Sequence, residues 1–330
     1  MKLTNTELKA LCHGALWFDE DEQGYLHLYR FTEKQVDFYR ETNMDFYYKT
    51  MATSNVRVSL TTDAAALSFD YLAHKRSSRK FCYFDIYVND VMLAHEGEND
   101  CTETTGTVTL ALPAGTNEIT VYLPPLFGAA LKNFTLDGAT FATPVTKKRK
   151  MLIFGDSITQ GYDAVYPSQS YANLIADMLD ATSVNQGIGG EIFNPALIDG
   201  ELGFTPDLIT VAYGTNDYSK CTREDMIAAA NGFYARLREA FPETPIFALL
   251  PIWRGDTKNK VSAVGTFEEA KAIVRDAAER QPNTVVIDGN TFVPHLPEFF
   301  SDKHLHPNDM GFKFYADALF AALAPYVNED

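Results

Sequence analysis

Cysteine is scarce in this chain, and the four that occur lie far apart. Cys12, Cys82, Cys101 and Cys221 form no CxxC pair, so the sequence excludes a zinc knuckle or a disulfide framework and predicts free thiols. Long apolar runs are also missing: no stretch approaches the roughly 18 apolar residues of a membrane-spanning helix. The N-terminal segment MKLTNTEL lacks the basic start and apolar stretch of a secretory signal. We therefore expect a cytoplasmic protein that does not bind membranes.

Positively charged residues are also fewer than negatively charged ones. The chain has 28 lysines and arginines against 44 aspartates and glutamates, which gives a formal net charge of −16. This negative field repels the phosphate backbone of nucleic acids, so we do not expect nucleic acid as a partner. The remaining composition, 46% hydrophobic and 22% charged, is typical of a globular protein, and a length of 330 residues accommodates about two domains.

Residues 1–146 have the pattern of an all-β domain. Short runs rich in β-branched and aromatic residues alternate with turn residues, without long helical stretches between them. The predicted strands lie at 25–31, 55–62, 66–73, 81–88, 105–112 and 117–124. Regular short strands of this kind predict an antiparallel sandwich of the jelly-roll type. The polar and basic segment TPVTKKRK at 143–150 marks the boundary with the next domain.

Residues 147–330 have a different pattern, in which short apolar runs alternate with amphipathic helices. The predicted strands lie at 151–154, 182–186, 208–213, 245–251 and 284–288. Nearly continuous apolar strands suit a parallel sheet that is buried on both faces. We therefore predict a three-layer, flavodoxin-like α/β domain with a five-stranded parallel sheet.

Polar segments follow four of the five predicted strands of this domain. They are GDSIT at 155–159, GIGGE at 187–191, GTND at 214–217 and DKHLHPND at 302–309. In an open α/β sheet, ligands bind beyond the carboxyl ends of the strands. We therefore expect the four segments to meet at one edge of the sheet and to form a site there.

The side chains of these segments supply the parts of an acyl-transfer site. Ser157, placed where a strand turns into a helix, is the candidate nucleophile. A serine hydroxyl needs a base within about 2.6–3.2 Å, and His306 is the candidate. The backbone N–H groups of Ser157 and Gly190 and the side-chain amide of Asn216 are the candidates that would bind the oxyanion of a tetrahedral intermediate.

The same segments resemble the sequence motifs of the SGNH hydrolases, also called GDSL-type esterases and lipases. GDSITQG at 155–161, NQGIGGE at 185–191, GTND at 214–217 and HPND at 306–309 occur in the order of that family. The resemblance spans about residues 150–327. It implies that the serine, glycine, asparagine and histidine of these motifs have the roles just given.

The sequence departs from the family pattern at one position. The family usually has an aspartate three residues before the histidine, and this position is Lys303 here, whereas Asp302 lies four residues before His306. Two arrangements stay open: a one-residue bulge brings the Asp302 carboxylate to the imidazole Nδ1, or a backbone carbonyl orients His306, as in the dyads of some carbohydrate esterases.

A metal site is an alternative for the last segment. Asp302, His304 and His306 alternate along the chain, and alternate side chains of an extended segment point the same way. Imidazole suits transition metals. A metal site would, however, leave Ser157 and the oxyanion donors without a role, so we expect neither a metal nor an organic cofactor.

Further side chains near the same sheet edge are candidates for substrate binding. Trp253 and Arg254 follow the fourth strand, where an indole can stack on a sugar ring and a guanidinium can hydrogen-bond hydroxyls. Tyr218 follows the asparagine motif, and His304 lies at the rim of the site. The alternative role of these side chains is to pack the loops. The basic cluster KRSSRK at 75–80 is expected to be a solvated loop or an edge of the cleft.

A jelly roll ahead of the hydrolase domain also resembles the layout of bacterial carbohydrate acetylesterases. We therefore expect a serine esterase that removes a short acyl group, foremost acetyl, from a saccharide hydroxyl through an acyl-enzyme intermediate. One alternative is a lipase or thioesterase that acts on longer acyl chains. Another is a non-catalytic carbohydrate-binding protein. The expected partner is a small ester, such as an acetylated oligosaccharide, and the oligomeric state stays open.

Overall fold

A computed structural model describes residues 1–327, so that residues 328–330 of the predicted second domain lie outside the described part. The first elements in chain order are α1 (Asn5–Ala10), β1 (Cys12–His13), β2 (Trp17–Glu20), β3 (Leu26–Tyr29), α2 (Glu33–Thr42), α3 (Met44–Thr50), β4 (Arg57–Thr62), β5 (Ala66–Lys75), β6 (Cys82–Val88), β7 (Val91–Glu98), β8 (Glu103–Ala111), β9 (Asn117–Tyr122), β10 (Phe127–Asp137) and β11 (Ala142–Pro144). The strands among them form a β-sandwich.

The second group of elements begins at Arg149 and forms an α/β domain. It consists of β12 (Arg149–Gly155), α4 (Ser157–Gln160), α5 (Tyr171–Met178), β13 (Ala181–Gly187), β14 (Leu208–Ala212), α6 (Thr215–Lys220), α7 (Arg223–Ala240), β15 (Ile246–Leu250), α8 (Phe267–Glu279), β16 (Thr284–Asp288) and α9 (Asp309–Val327). Single 3₁₀ turns lie at Pro167–Gln169, Pro195–Leu197, Gly255–Thr257, Gly289–Thr291 and Pro297–Phe299.

The β-sandwich consists of two antiparallel sheets. One has the strand order β1-β4-β9-β6-β7, with β11 paired to β4, and the other has the order β2-β3-β10-β5-β8. Phe69 and Phe134 of one sheet stack with ring centroids 5.6 Å apart, and Phe84 of the other sheet meets Phe69 edge-on at 5.8 Å. This apolar interior confirms the predicted sandwich. The free cysteines agree with the prediction too.

Two helices interrupt the sandwich where the sequence predicts none. Thr32 caps α2 through a capping box with Gln35, and Asn43 caps α3. The helices do not belong to the sandwich core, because Val36 and Tyr39 pack into the same apolar cluster as Phe154 of the parallel sheet. The expectation of a first domain without long helical stretches is therefore wrong: α2 and α3 form where the apolar face of the second domain covers them.

The α/β domain has a five-stranded parallel sheet with the strand order β13-β12-β14-β15-β16. This order is flavodoxin-like and confirms the predicted fold class. Helices α5 and α9 pack on one face of the sheet, while α7 and α8 pack on the other. Gly155 pairs in register with Gly187 on one side and Ala212 on the other, so the loops after these three strands start from one edge.

Buried polar contacts join the sandwich to the α/β domain. Arg57 forms an ion pair with Asp177, and Tyr122 donates to the same carboxylate at 2.7 Å. Asn55 donates to the hydroxyl of Ser183 at 3.1 Å. Such contacts fix the two parts relative to each other. Among residues 1–327, no helix is both long enough and apolar enough to cross a bilayer.

Candidate active site

Ser157 lies at the carboxyl edge of the parallel sheet, where β12 ends and α4 begins. Asp156 occupies the cap position and accepts a hydrogen bond from the backbone N–H of Ile158 at 2.9 Å. The sharp turn places Ser157 at the first position of the helix, where the backbone N–H groups favour negative charge. Ser157 is 6% exposed. Its hydroxyl is therefore held in a fixed place rather than in bulk solvent.

The hydroxyl of Ser157 starts a hydrogen-bonded series that contains His306 and Asp302. Ser157 Oγ lies 2.9 Å from His306 Nε2. On the other side of the ring, His306 Nδ1 lies 2.7 Å from Asp302 Oδ2. Of the two arrangements that the sequence leaves open, the structure has the carboxylate at Nδ1. This is the geometry in which an aspartate selects the tautomer whose Nε2 accepts the serine proton.

The loop that carries Asp302 turns sharply enough to absorb one extra residue. Lys303 adopts a left-handed conformation with φ of 71°, which shortens the path from Asp302 to His306. Asp302 Oδ1 accepts backbone N–H groups of His304, Leu305 and His306 at 3.1, 2.7 and 3.1 Å. Burial opposes ionisation of this carboxyl, but the hydrogen bonds from His306 and these N–H groups outweigh it and hold the pKa of Asp302 well below its ordinary value.

The glycine loop, residues 187–191, lies beside the nucleophile. The N–H of Ile188 donates to Gly155 O at 3.0 Å, and Gly190 has φ of +92°, a conformation that glycine adopts without strain. In the part of the chain that the structure describes, the N–H groups of Ser157 and Gly190 have no protein acceptor. Asn216 donates one amide hydrogen to Glu191 O at 3.0 Å, which ties the asparagine motif to the glycine loop.

Three buried carboxyl groups stabilise the loops around the site. Asp217 accepts the N–H groups of Phe193 and Gly214 at 3.0 and 3.1 Å. Burial raises the pKa of Asp156 and that of Asp217 to about 6 each. Burial also raises the pKa of Glu191 to about 7, and its carboxylate accepts a hydrogen bond from the Tyr39 hydroxyl of α2. These groups therefore couple loop structure to pH.

Aromatic rings flank the glycine loop on two sides. The Tyr162 ring stacks beside His306 with centroids 5.7 Å apart. A Cβ atom at position 189 would meet this tyrosine ring at 2.6 Å, so only glycine fits there. On the other side, a Cβ atom on Gly190 would lie 3.6 Å from the Phe46 ring, which α3 supplies. The rings of Tyr162 and Phe46 therefore both lie close to the glycine loop.

The sandwich reaches the site through Arg79, which lies within the basic cluster at 75–80. Arg79 pairs with Asp163 at 2.5 Å, and Asp163 Oδ2 lies 3.9 Å from His306 Nδ1. The cluster is therefore an edge of the cleft at Arg79, although Lys80 stays exposed and pairs with Asp100. Sequence reasoning missed Asp163 and Phe46. Asp163 directly follows the GDSITQGY run, whereas no local signal marks Phe46.

Two of the predicted substrate-binding residues lie where a ligand can reach them. The side chain of His304 is 43% exposed, and its Nδ1 lies 2.7 Å from Asp302 O. Trp253 is half-buried and stacks on His295 with centroids 5.3 Å apart. A Cβ atom on Gly255 would contact both Trp253 and His304, at 2.9 and 3.3 Å. Trp253 therefore lies next to the rim of the site.

The other two predicted substrate-binding residues have structural roles. Tyr218 is fully buried, and its hydroxyl donates to Lys260 O at 3.1 Å. Arg254 is 7% exposed and donates to both carboxylate oxygens of Asp256 and to Thr215 O at 2.8 Å. Both side chains thus have hydrogen bonds within the protein, which fits the loop-packing role that the sequence leaves open as the alternative. That they contact substrate stays a prediction.

A metal would compete with protein partners at the carboxylates and imidazole of the site. Asp163, Asp302 and His306 place one potential ligand atom each within 4.8 Å of one another. His304 is not part of this group, so the group differs from the alternating set that the sequence offers as an alternative. Each member already has a protein partner, since Arg79 pairs with Asp163 and the ring of His306 lies between Ser157 and Asp302. A metal would have to displace these partners.

Comparison with protein families matches residues 153–314 to the GDSL-like Lipase/Acylhydrolase family. A comparison with curated proteins gives no significant match. Among solved structures, the chain is similar to the salicylyl-acyltransferase SsfX3 from a tetracycline biosynthetic pathway, with a TM-score of 0.84, 21% identity and coverage of 98% of this chain and 97% of that chain.

Two esterase structures are similar over both domains. One is a family two carbohydrate esterase from Cellvibrio japonicus, with a TM-score of 0.68, 18% identity and coverage of 99% and 97% of the two chains. The other is an acetyl xylan esterase from Butyrivibrio proteoclasticus, with a TM-score of 0.65, 14% identity and coverage of 99% and 98%. Likeness at this level of identity establishes the shared two-domain fold.

Proposed function

Because the α/β domain of this chain is a GDSL-like lipase/acylhydrolase domain, and the protein therefore a carboxylic ester hydrolase, we propose that it removes short acyl groups, foremost acetyl, from saccharide hydroxyls. The observation that carries this proposal is the series Ser157–His306–Asp302, with contacts of 2.9 and 2.7 Å. A hydroxyl, a base and an orienting carboxylate in this order are what acyl transfer requires.

In the proposed reaction, Ser157 Oγ attacks the ester carbonyl carbon while His306 Nε2 takes the hydroxyl proton. The imidazolium is stabilised by Asp302 and then gives this proton to the departing sugar oxygen as the ester bond breaks. Water next attacks the acyl-enzyme, with His306 again as base, and its proton passes to Ser157 as the acid leaves. The cycle uses this chain's own residues alone.

Negative charge on the carbonyl oxygen is expected to be stabilised by three donors. The N–H groups of Ser157 and Gly190 are free of protein acceptors in the described chain, and Asn216 has a second amide hydrogen beyond the one donated to Glu191 O. Donors fixed before the reaction cost no reorganisation when the charge forms. Loss of one such donor typically lowers kcat by about 10²–10³-fold.

The aromatic rings beside the glycine loop support a short acyl group. Tyr162 lies against Gly189 and Phe46 lies near Gly190, and both rings are held in place, Tyr162 by burial and Phe46 by packing on Tyr39. An acetyl group needs room for a single methyl, whereas a long chain needs an extended pocket, and we expect these rings to limit the length of such a pocket. A lipase or thioesterase acting on long chains is therefore the less favoured alternative.

A saccharide substrate is supported by the surface next to the site. Trp253 borders a groove of about 620 Å³ that also has Lys258 and Asn290 in its wall. A half-exposed indole and polar side chains in one groove suit a sugar ring, which has both apolar faces and hydroxyls. The carbohydrate esterases with the same two-domain fold support the same substrate class.

The proposal is tested with purified protein, 4-nitrophenyl acetate, butyrate and octanoate, and a panel of acetylated oligosaccharides. We expect turnover of the acetate, little turnover of the octanoate, and acetate release from at least one oligosaccharide. Ser157→Ala should abolish these activities and covalent labelling by a fluorophosphonate probe, with an unchanged circular dichroism spectrum. Undiminished turnover by Ser157→Ala would refute the assignment, and octanoate preference would favour a lipase.

Acyl transfer to an acceptor other than water is a second candidate, favoured by the likeness to the salicylyl-acyltransferase over both domains. The acyl-enzyme would then react with an alcohol. Hydrolysis of 4-nitrophenyl acetate in the presence of increasing concentrations of glucose or methanol separates the two functions. If ester products exceed free acetate at millimolar acceptor, acyl transfer is the main reaction. If acetate dominates throughout, this second candidate is wrong.

A further inference from the structure

Gly189 of the glycine loop is held from both domains, through the two peptide groups on either side of its Cα atom. The N–H of Gly189 donates to Gln160 Oε1 at 2.6 Å, within the helix that begins at Ser157. The carbonyl oxygen of Gly189 accepts from Lys49 Nζ at 2.8 Å. The next N–H along the chain, that of Gly190, has no protein acceptor among residues 1–327.

Lys49 comes from α3 and is held in place by its neighbours. Its side chain is 12% exposed, and its Nζ also contacts Asp45 Oδ2 at 2.5 Å. The fully buried guanidinium of Arg30 donates to Lys49 O at 3.0 Å and to Gly187 O at 2.9 Å. Arg30 therefore fixes the main chain of Lys49 relative to the glycine loop, and the ammonium group is not a freely moving surface charge.

We propose that Lys49 is a positioning residue that polarises the Gly189–Gly190 peptide for catalysis. The carbonyl oxygen of Gly189 and the N–H of Gly190 belong to one amide, whose electrons are delocalised. A cation on the oxygen draws electron density from the nitrogen, so that the N–H becomes a stronger donor. This inference rests on the proposed function, in which the Gly190 N–H binds the oxyanion.

The effect is selective for the transition state. A neutral ester oxygen gains little from a stronger N–H donor, whereas the oxyanion of the tetrahedral state carries a full charge and gains more. Loss of Lys49 should therefore lower kcat and leave KM nearly unchanged. The sandwich domain, which has no catalytic residue of its own in the proposal, would in this way contribute to the rate.

Lys220, the last residue of α6, provides a control that contacts the same loop. Its Nζ donates to Gly190 O at 2.5 Å, one peptide further along. The N–H that shares this second amide belongs to Glu191 and donates to Ile188 O at 3.0 Å. Lys49 and Lys220 thus each place an ammonium group on one of two adjacent carbonyls, with Asp45 as a further partner of Lys49. The peptide that Lys49 contacts is the one whose N–H is free to bind an oxyanion.

The test measures kcat and KM with 4-nitrophenyl acetate for the full chain and its Lys49→Met, Lys49→Arg and Lys220→Met variants. We expect Lys49→Met to lower kcat about 3- to 30-fold, less than the loss of a whole oxyanion donor. Lys49→Arg should retain at least half of the wild-type kcat, since it keeps the cation. Lys220→Met should retain at least a third of the wild-type kcat. An equal loss in Lys49→Met and Lys220→Met would overturn the inference.

A second measurement separates polarisation from loop disorder. Methylboronic acid forms a charged tetrahedral adduct with an activated serine, so its inhibition constant reports oxyanion binding. We expect this constant to rise in Lys49→Met by the factor by which kcat/KM falls; an unchanged constant would overturn the inference. Should Lys49→Met fail to fold, Lys49→Gln serves in its place. Inactive wild-type protein would refute the proposed function. Active wild-type protein together with a fully active Lys49→Met variant would refute only the role of Lys49.

Discussion

Arg79 and Asp163 form a two-point ion pair across the domain boundary, next to the imidazole of His306. The contacts are 2.5 Å from Nε to Oδ1 and 2.9 Å from Nη2 to Oδ2. Asp163 Oδ2 lies 3.9 Å from His306 Nδ1, whereas Asp302 Oδ2 lies 2.7 Å from the same nitrogen. Two carboxylates thus lie near His306 Nδ1. Asp302 forms the hydrogen bond with this nitrogen, while Asp163 pairs with Arg79.

Removal of Arg79 should therefore misplace the imidazole. In Arg79→Met, the Asp163 carboxylate loses its cation and competes with Asp302 for His306 Nδ1, and we expect kcat to fall about 5- to 50-fold because small misplacements are costly. Steady-state kinetics with 4-nitrophenyl acetate checks this. The Arg79→Met/Asp163→Asn double variant should recover most of the loss. Lys80→Met, in the same loop, is the control and should be unaffected.

Asp302 should be needed for more than loop structure. Asp302→Ala removes the carboxylate that selects the productive tautomer of His306, and we expect kcat to fall about 10²–10⁴-fold with a small change in KM. Stopped or continuous assays at several pH values measure this. If Asp302→Ala kept nearly all of its kcat, a backbone carbonyl rather than the carboxylate would orient His306.

Glu191 makes the stability of the protein depend on pH. Burial raises its pKa from 4.5 to about 7 in the folded state, so the folded protein binds a proton that the unfolded chain has lost. The free energy of unfolding therefore falls as pH rises from about 4.5 to 7, by on the order of 3 kcal/mol from this group. Glu191→Gln should flatten this slope.

Urea denaturation of wild type and Glu191→Gln at pH 5, 6, 7 and 8 measures the difference. Asp156 and Asp217, whose pKa values burial raises to about 6, titrate in the same range and leave a residual slope in the variant. If the free energy of unfolding changed with pH by the same amount in both proteins, Glu191 would not titrate between these pH values, contrary to the expectation.

Arg30 should be among the most important single side chains for stability. It is fully buried, and its guanidinium donates to four carbonyl oxygens, among them those of Ala52 at 2.8 Å and Asn185 at 2.5 Å. Arg30→Met leaves these acceptors unpaired, and we expect a loss of about 2–4 kcal/mol in the free energy of unfolding. Arg40→Met removes an exposed arginine and should change the free energy of unfolding far less than Arg30→Met does. Equal effects would contradict this role.

The parallel sheet and its site could be predicted because both depend on local patterns. Buried parallel strands have nearly continuous apolar sequences, and their carboxyl ends meet at one edge. Polar segments after β12, β13 and β14 must therefore converge, so the sequence alone is enough to place Ser157, Gly190 and Asn216 together. The order of β13 and β12 follows from the same fold class.

The contribution of the sandwich to the site could not be predicted in the same way. Lys49, Phe46 and Arg79 reach the site through the packing of one domain on the other, and no spacing within the sequence encodes such contacts. Helix α2 is different, since its Thr32–Gln35 capping box is a local signal within the sequence. The edge strand β7 has no buried residue, and its sequence VMLAHEGE lacks the apolar–polar alternation that marks half-buried strands.

The packing of α2 and α3 also limits how the enzyme can be engineered. Phe31, Val36 and Tyr39 belong to one apolar cluster with Leu152 and Phe154, so the catalytic half shares its interior with the other half. Deletion of residues 1–146 would expose this interior to water. Chimaeras that graft a different accessory module onto the hydrolase should therefore carry residues 30–50 along with it.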